Sequence, residues 1–318
     1  MVSIVLALGG GGVRGIAHIG VIRGLENAGF SIKAVAGTSV GAIVGAVYAS
    51  GCTPDQMDRL VTSLDKRHLF ARSPDDGPSL MGLAGLRKAL KDVIGEKTFK
   101  DLVIPFACTS VDIHTDLEII INSGRLMTAI EASAAVPGVF PPVRLGSYEL
   151  VDGGVLDPVP VSVARWMMPD KPVIAVCLTP PPEDWAELPP QNYIPPPPLP
   201  QPILSQISRL RVAQAFNIFA RSMDTSSRML AELRLIVDHP DVIIRPDVRS
   251  IGMLDDVDPE RLIKVGEEAV TAAMPEIQKA FSWSERIARR LRQQRTPGNV
   301  LVVDGDDEVT DTPDKPVG

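Results

Sequence analysis

The sequence predicts an α/β fold built on a mostly parallel sheet, and three observations predict it. Strand-like and helix-like segments alternate through the first 180 residues, as they do where crossover helices join parallel strands. The first segment, VSIVLAL (2–8), is an unbroken apolar run that ends in glycines, the signature of a strand buried on both faces. Apolar residues are 45% and charged residues 22% of the 318, enough to bury a core of ordinary size.

The elements follow in order. After strand 2–8 a helix runs from Ile16 to Ala28, then a short strand, KAVAG (33–37). VGAIVGAVYAS (40–50) is a small-residue helix stopped by Gly51. IPFACTSVDI (104–113), LEIIIN (117–122) and KPVIAVCL (171–178) read as strands, and LMTAIEASAA (126–135) as a helix that ends before Pro137. Residues 180–202 hold 11 of the 29 prolines, so extended polyproline structure is expected, as a loop or lid over the site or as a ligand for a proline-reading domain. Apolar residues return at helical spacing over 203–236, VIIRP (242–246) reads as a strand, and 259–281 as an amphipathic helix. Residues 1–281 thus form one domain with a proline-rich insertion. Residues 282–318 form a basic helix and an acidic tail, expected to be disordered from Thr296.

Charge and cysteine usage narrow the functional classes. A net charge of −7 without an extended basic face argues against nucleic acid. The N-terminus lacks the form of a signal peptide, and no run reaches the ~18 apolar residues of a membrane span. Cys52, Cys108 and Cys177 lack metal spacing and read as free thiols of a reducing compartment, so a cytoplasmic protein without metal or cofactor is expected. FSWSERIARRLRQQR (281–295) carries five arginines beside Phe281, Trp283, Ile287 and Leu291. It either docks its apolar side on the domain or lies in an anionic membrane interface, a peripheral contact.

Gly37-Thr38-Ser39-Val40-Gly41 follows a strand and opens a helix, the context of a nucleophile elbow. The turn is too sharp for a Cβ at Gly37 or Gly41, and the following helix aims its free N–H groups where negative charge would develop. Gly9 to Gly15 also satisfies G-x-G-x-x-G, which alone would suggest a dinucleotide site. The acidic residue expected some 20 positions on is missing, so Gly10, Gly11 and Gly12 fit better as an oxyanion hole. None of His18, His68, His114 and His239 ties to Ser39 by position, and His18 reads as a packing residue in the first helix. Asp152, in Leu150-Val151-Asp152-Gly153-Gly154, is a better-placed base, with Asp157 its rival and a simple turn carboxylate the bland alternative.

GGGGVRG (9–15), GTSVG (37–41) and DGG (152–154) together resemble the patatin-like phospholipases, particularly their compact bacterial branch. The resemblance extends through HIGVIRGLENAG (18–29) and ASAAVPGVFPPV (132–143) and covers about the first 165 residues. It implies a three-layer α/β/α fold and hydrolysis of acyl esters of lipids by a Ser–Asp dyad. Ser39 matches the nucleophile, Asp152 the base, and Gly10 to Gly12 the oxyanion loop. Arg14 matches that loop's basic position, either bracing it or facing a lipid head group. The chain departs from the family at Asp157, where asparagine is frequent, and at Ala134-Ala135, where a second serine is frequent. A lipid acyltransferase and a lipid-binding regulator that holds its ligand without turnover are the alternatives on the same fold.

Overall fold

The computed structural model describes residues 2–64, 81–188, 203–253 and 255–282, with short segments at 300–301, 303–304 and 308–309. Strand β1 (Val2–Leu8) runs parallel to β2 (Phe30–Thr38) on one side and β7 (Val173–Val176) on the other. Strands β3 (Phe106–Asp112) and β8 (Val242–Ile244) extend the parallel set beyond β2 and β7. Antiparallel strands close one end of the sheet: β4 (Leu117–Ile121) and β6 (Tyr148–Asp152) on β3, and β5 (Val143–Leu145) on β6. The β5–β6 hairpin has no counterpart in the sequence reading, because Arg144, Tyr148 and Glu149 interrupt the apolar pattern.

Alternate residues of β1 feed two cores. Ile4, Leu6 and Leu8 pack with helices α1 (Ala17–Asn27) and α2 (Val40–Ala49). On that face also lie α3 (Pro54–Ser63), α4 (Ala84–Leu90), α5 (Leu126–Ser133) and α8 (Pro259–Ala280). Val5 and Ala7 pack on the other face with α6 (Val161–Met167) and α7 (Ile203–Asp238). The result is the expected three-layer α/β/α arrangement. The sequence announced α3 without being read: Thr53 caps it, Pro54 fills its first turn, and Gln56 completes a capping box.

The register of β3 matters most for function. Cys108 and Thr109 pair with both β2 and β4, and Ser110 to Asp112 pair with both β4 and β6. A strand has two edges, so β4 occupies one and β2 and β6 share the other, β2 along Phe106–Thr109 and β6 along Ser110–Asp112. Thr38 is the partner of Thr109 and Asp152 the partner of Ser110. Consecutive residues of β3 thus bring together two segments more than a hundred positions apart.

The described residues of the tail form short strands. Val300–Leu301 (β9) pairs in parallel with Ile120–Ile121, and Val303–Asp304 (β10) pairs with Glu308–Val309 (β11). The β-branched residues Val300, Val302 and Val303 favour strand formation inside an otherwise acidic stretch. The basic segment 283–295 and the polyproline run 195–198 lie outside the described residues, and Pro182–Glu187 forms a 3-10 turn.

Candidate active site

Ser39 stands between the end of β2 and the first turn of α2, with φ 55° and ψ −124°. That left-handed backbone is strained for any residue bearing a Cβ and costs on the order of 1–3 kcal/mol. A Cβ on Gly37 would lie 2.5 Å from the Gly41 carbonyl oxygen, and one on Gly41 2.1 Å from that of Leu8. Both glycines are sterically required, as the turn demanded. The Ser39 carbonyl accepts the N–H groups of Ala42 and Ile43 at 2.9 and 3.2 Å, and its N–H donates to Ser133 Oγ at 3.0 Å.

Asp152 ends β6 and caps the short turn Gly153–Val155, with Oδ1 accepting the Gly154 N–H at 2.7 Å. Oδ2 is buried without a hydrogen bond of good geometry to any described residue. Burial lifts the carboxyl to about 6, while the nearby Ser39 hydroxyl and the Gly154 N–H pull it down. It therefore remains ionised at neutral pH yet is more basic than an ordinary carboxylate.

The glycine loop lies against this pair, and a Cβ on Gly10 would come within 3.2 Å of Ser39 Cβ. Its N–H groups have distinct fates. Gly9 donates to Val176 O, Gly10 to Pro158 O at 3.0 Å, and Val13 to Met253 O. No described residue accepts the N–H of Gly11 or Gly12. Gly10, expected among three donors, is thus engaged with the segment after Asp152, and two donors stand open. Gly12 has φ 60°, and a Cβ there would meet Met253 O at 2.2 Å.

Arg14 is buried, and its Nε donates to Ile251 O at 2.6 Å, so its guanidinium braces the loop. His18 is wholly buried, with Nε2 2.8 Å from Gly9 O and burial pushing it down to about 4. It supports the same loop as a neutral imidazole. His114 pairs with Glu149 at the surface, His239 is exposed, and His68 lies outside the described residues.

Ser39, Asp152, Arg14 and Gly10 to Gly12 all line one cavity of about 330 Å³. Its walls are otherwise dominated by apolar side chains, among them Val44, Met57, Leu60, Leu86 and Phe140, and α7 closes one side with Phe219 and Met223. Asp157, the rival base, is absent from that lining. It is fully buried 3.8 Å from Arg234 of α7, whose guanidinium also holds Glu118 at 2.6 Å. Burial and the neighbouring Glu118 push Asp157 far above the usual carboxylate range, and Arg234 opposes them. Among the described residues no cluster of His, Cys, Asp or Glu is placed to hold a metal, and no helix is long and apolar enough to cross a membrane.

Residues 6–165 match the family model described as patatin-like phospholipase, a span that holds Ser39, Asp152, Arg14 and Gly10 to Gly12. The chain belongs to the patatin-like phospholipase family. An uncharacterized NTE family protein of Mycobacterium tuberculosis is 38% identical over 162 residues, covering 50% of this chain and 44% of that protein. A second from the same organism is 31% identical over 284 residues, covering 86% of this chain and 46% of the relative. The chain spans less than half the length of these relatives. Patatin-like phospholipase domain-containing protein 6 of Mus musculus is 30% identical over 181 residues, 55% of this chain and 13% of that protein. The solved structure of VipD from Legionella pneumophila shares the fold at a TM-score of 0.51 and 14% identity, covering 87% of this chain and 67% of that one. The description of that family model, patatin-like phospholipase, names lipid hydrolysis as the family's activity.

Ser133 is the site residue that sequence reasoning missed. The departure noted at Ala134-Ala135 drew attention one position too far along, and the hydroxyl that reaches the elbow sits just before it.

Proposed function

We propose that the protein hydrolyses acyl esters of lipids through a Ser39–Asp152 dyad. Ser39 Oγ attacks the acyl carbonyl while Asp152 accepts its proton, and the Gly11 and Gly12 N–H groups receive the oxyanion. Collapse of the tetrahedral intermediate leaves an acyl-enzyme on Ser39, and Asp152 returns the proton to the departing alcohol. Water then attacks the acyl-enzyme as Asp152 takes its proton, and Asp152 passes that proton to the departing Ser39 Oγ as the fatty acid is released. The reading is carried by one juxtaposition: a strained serine, a buried carboxylate and two backbone donors that no described residue accepts line one largely apolar cavity suited to an acyl chain.

The same reading sets the enzyme in the cytoplasm, supported by three unpaired cysteines, and brings it to lipid at the periphery of a membrane. The outward face of α7 supports that contact with exposed Ile218, Phe219, Met229, Leu233 and Ile236, and Phe219 also lines the cavity. The decisive experiment pairs turnover of short- and long-chain acyl esters with fluorophosphonate labelling. Wild type should turn over ester and become labelled at Ser39, and Ser39→Ala should do neither while keeping its fold. Labelling that persists in the variant would remove Ser39 from the mechanism.

A further inference from the structure

Ser39 has one backbone handle that its own elements leave unsatisfied. Its carbonyl is fixed by the first turn of α2. Its N–H emerges just past the end of the β2–β3 ladder, whose last pair is Thr38 with Thr109. The next residue of β3, Ser110, pairs instead with Asp152 of β6. The fork that brings the two reacting side chains together therefore orphans the nucleophile's N–H. An unpaired buried N–H is costly. Left loose, it would also leave a positive φ free to relax.

We infer that the Ser133 hydroxyl is the positioning group that holds the Ser39 backbone in its reactive turn, an assignment that rests on Ser39 being the nucleophile. Ser133 is the last residue of α5, fully buried, and its Oγ accepts the Ser39 N–H at 3.0 Å from 94 positions away. Its own segment is anchored at the fork. Ser110 Oγ lies 2.6 Å from Val151 O and 3.3 Å from Ala132 O, and the Asp152 N–H donates to Ala135 O at 3.0 Å. Residues 132–135 thus grip the base through a main-chain carbonyl and the nucleophile through one hydroxyl, fixing their separation. Ser133 itself does not line the cavity. Its effect reaches the reaction through Ser39 and leaves substrate binding alone.

Ser133→Ala should lower kcat by roughly 10-fold to 100-fold, the loss expected when a buried donor is left unsatisfied and the turn relaxes. KM should stay within about twofold, and fluorophosphonate labelling should slow in parallel with kcat. Because a buried substitution can also disturb folding, Ser133→Thr and Ser133→Val are compared. They match in volume and differ in the acceptor, so Thr should be at least tenfold faster than Val at similar melting temperature. Equal rates for Thr and Val, wild-type kcat in Ser133→Ala, or a loss confined to KM would each overturn the assignment. A labelled, active Ser39→Ala would instead overturn the nucleophile itself, so the two failures are told apart.

Discussion

Replacing Asp152 by Asn should make the protein more stable and nearly inactive, and the size of both effects follows from its burial. Moving the carboxyl from its ordinary value of 3.8 to about 6 means that the fold disfavours the charged form by about 3 kcal/mol. The sign is that of a raised pKa: between pH 4 and 6 the folded state binds more protons than the unfolded, so stability falls as pH rises through this window. Above pH 6 the full penalty stands. Asn carries no charge and still offers Oδ1 to the Gly154 N–H, so the variant escapes that fall. At pH 8 it should be more stable by up to about 3 kcal/mol, roughly 6 °C in melting temperature for a chain of this size. At pH 4 the two should coincide. Thermal melts of both proteins from pH 4 to 8 measure this difference. Activity must move oppositely: loss of the base should cost on the order of 10² or more in kcat, and wild-type kcat/KM should fall below a pH near 6 as Asp152 takes up a proton. A wild-type limb near pH 4, or a variant no more stable at pH 8, would refute a desolvated base. A limb that vanished on replacing a histidine would replace the dyad by a triad.

Gly12→Ala should lower kcat by roughly 10²-fold with a smaller change in KM, because a Cβ 2.2 Å from Met253 O must displace an oxyanion donor; a pure KM effect would make the loop a binding element. Asp157→Asn should match wild type at low pH and melt increasingly above it as pH rises, since Asp157 is also held above its ordinary value; parallel melting curves would contradict a buried acid beside Glu118. Leu233→Asp combined with Ile236→Asp should weaken co-sedimentation with zwitterionic vesicles at least tenfold while sparing hydrolysis of a short-chain ester; unchanged sedimentation would take α7 out of membrane contact.

The sequence was most legible where backbone sterics restrict residue choice. Gly37 and Gly41 flank a serine because neighbouring carbonyls leave no room for a Cβ, and that constraint can be read from five letters. The run 2–8 marked a central strand because both faces are buried, and no polar residue survives in its last five positions. Legibility failed where a function is shared among distant segments. Nothing near Gly10 says that its N–H turns to Pro158, or that His18 supports the Gly9 carbonyl from the following helix. Ser133 lay in plain view inside ASAAVPG, yet its partner is known only once β2 and β6 are seen to divide one edge of β3. On the proposed mechanism, the fork is also the physical reason that the site would need no histidine for geometry. Adjacent ladder positions on Thr109 and Ser110 set Thr38, the residue before Ser39, beside Asp152, so no third residue would be required to bridge serine and carboxylate. What an imidazole would otherwise contribute is basicity, and burial of Asp152 provides part of it. The proposed dyad would therefore depend on the dryness of its cavity. Any substitution that admits water beside Oδ2 should return the carboxyl toward its ordinary value and weaken the base without touching either reacting residue.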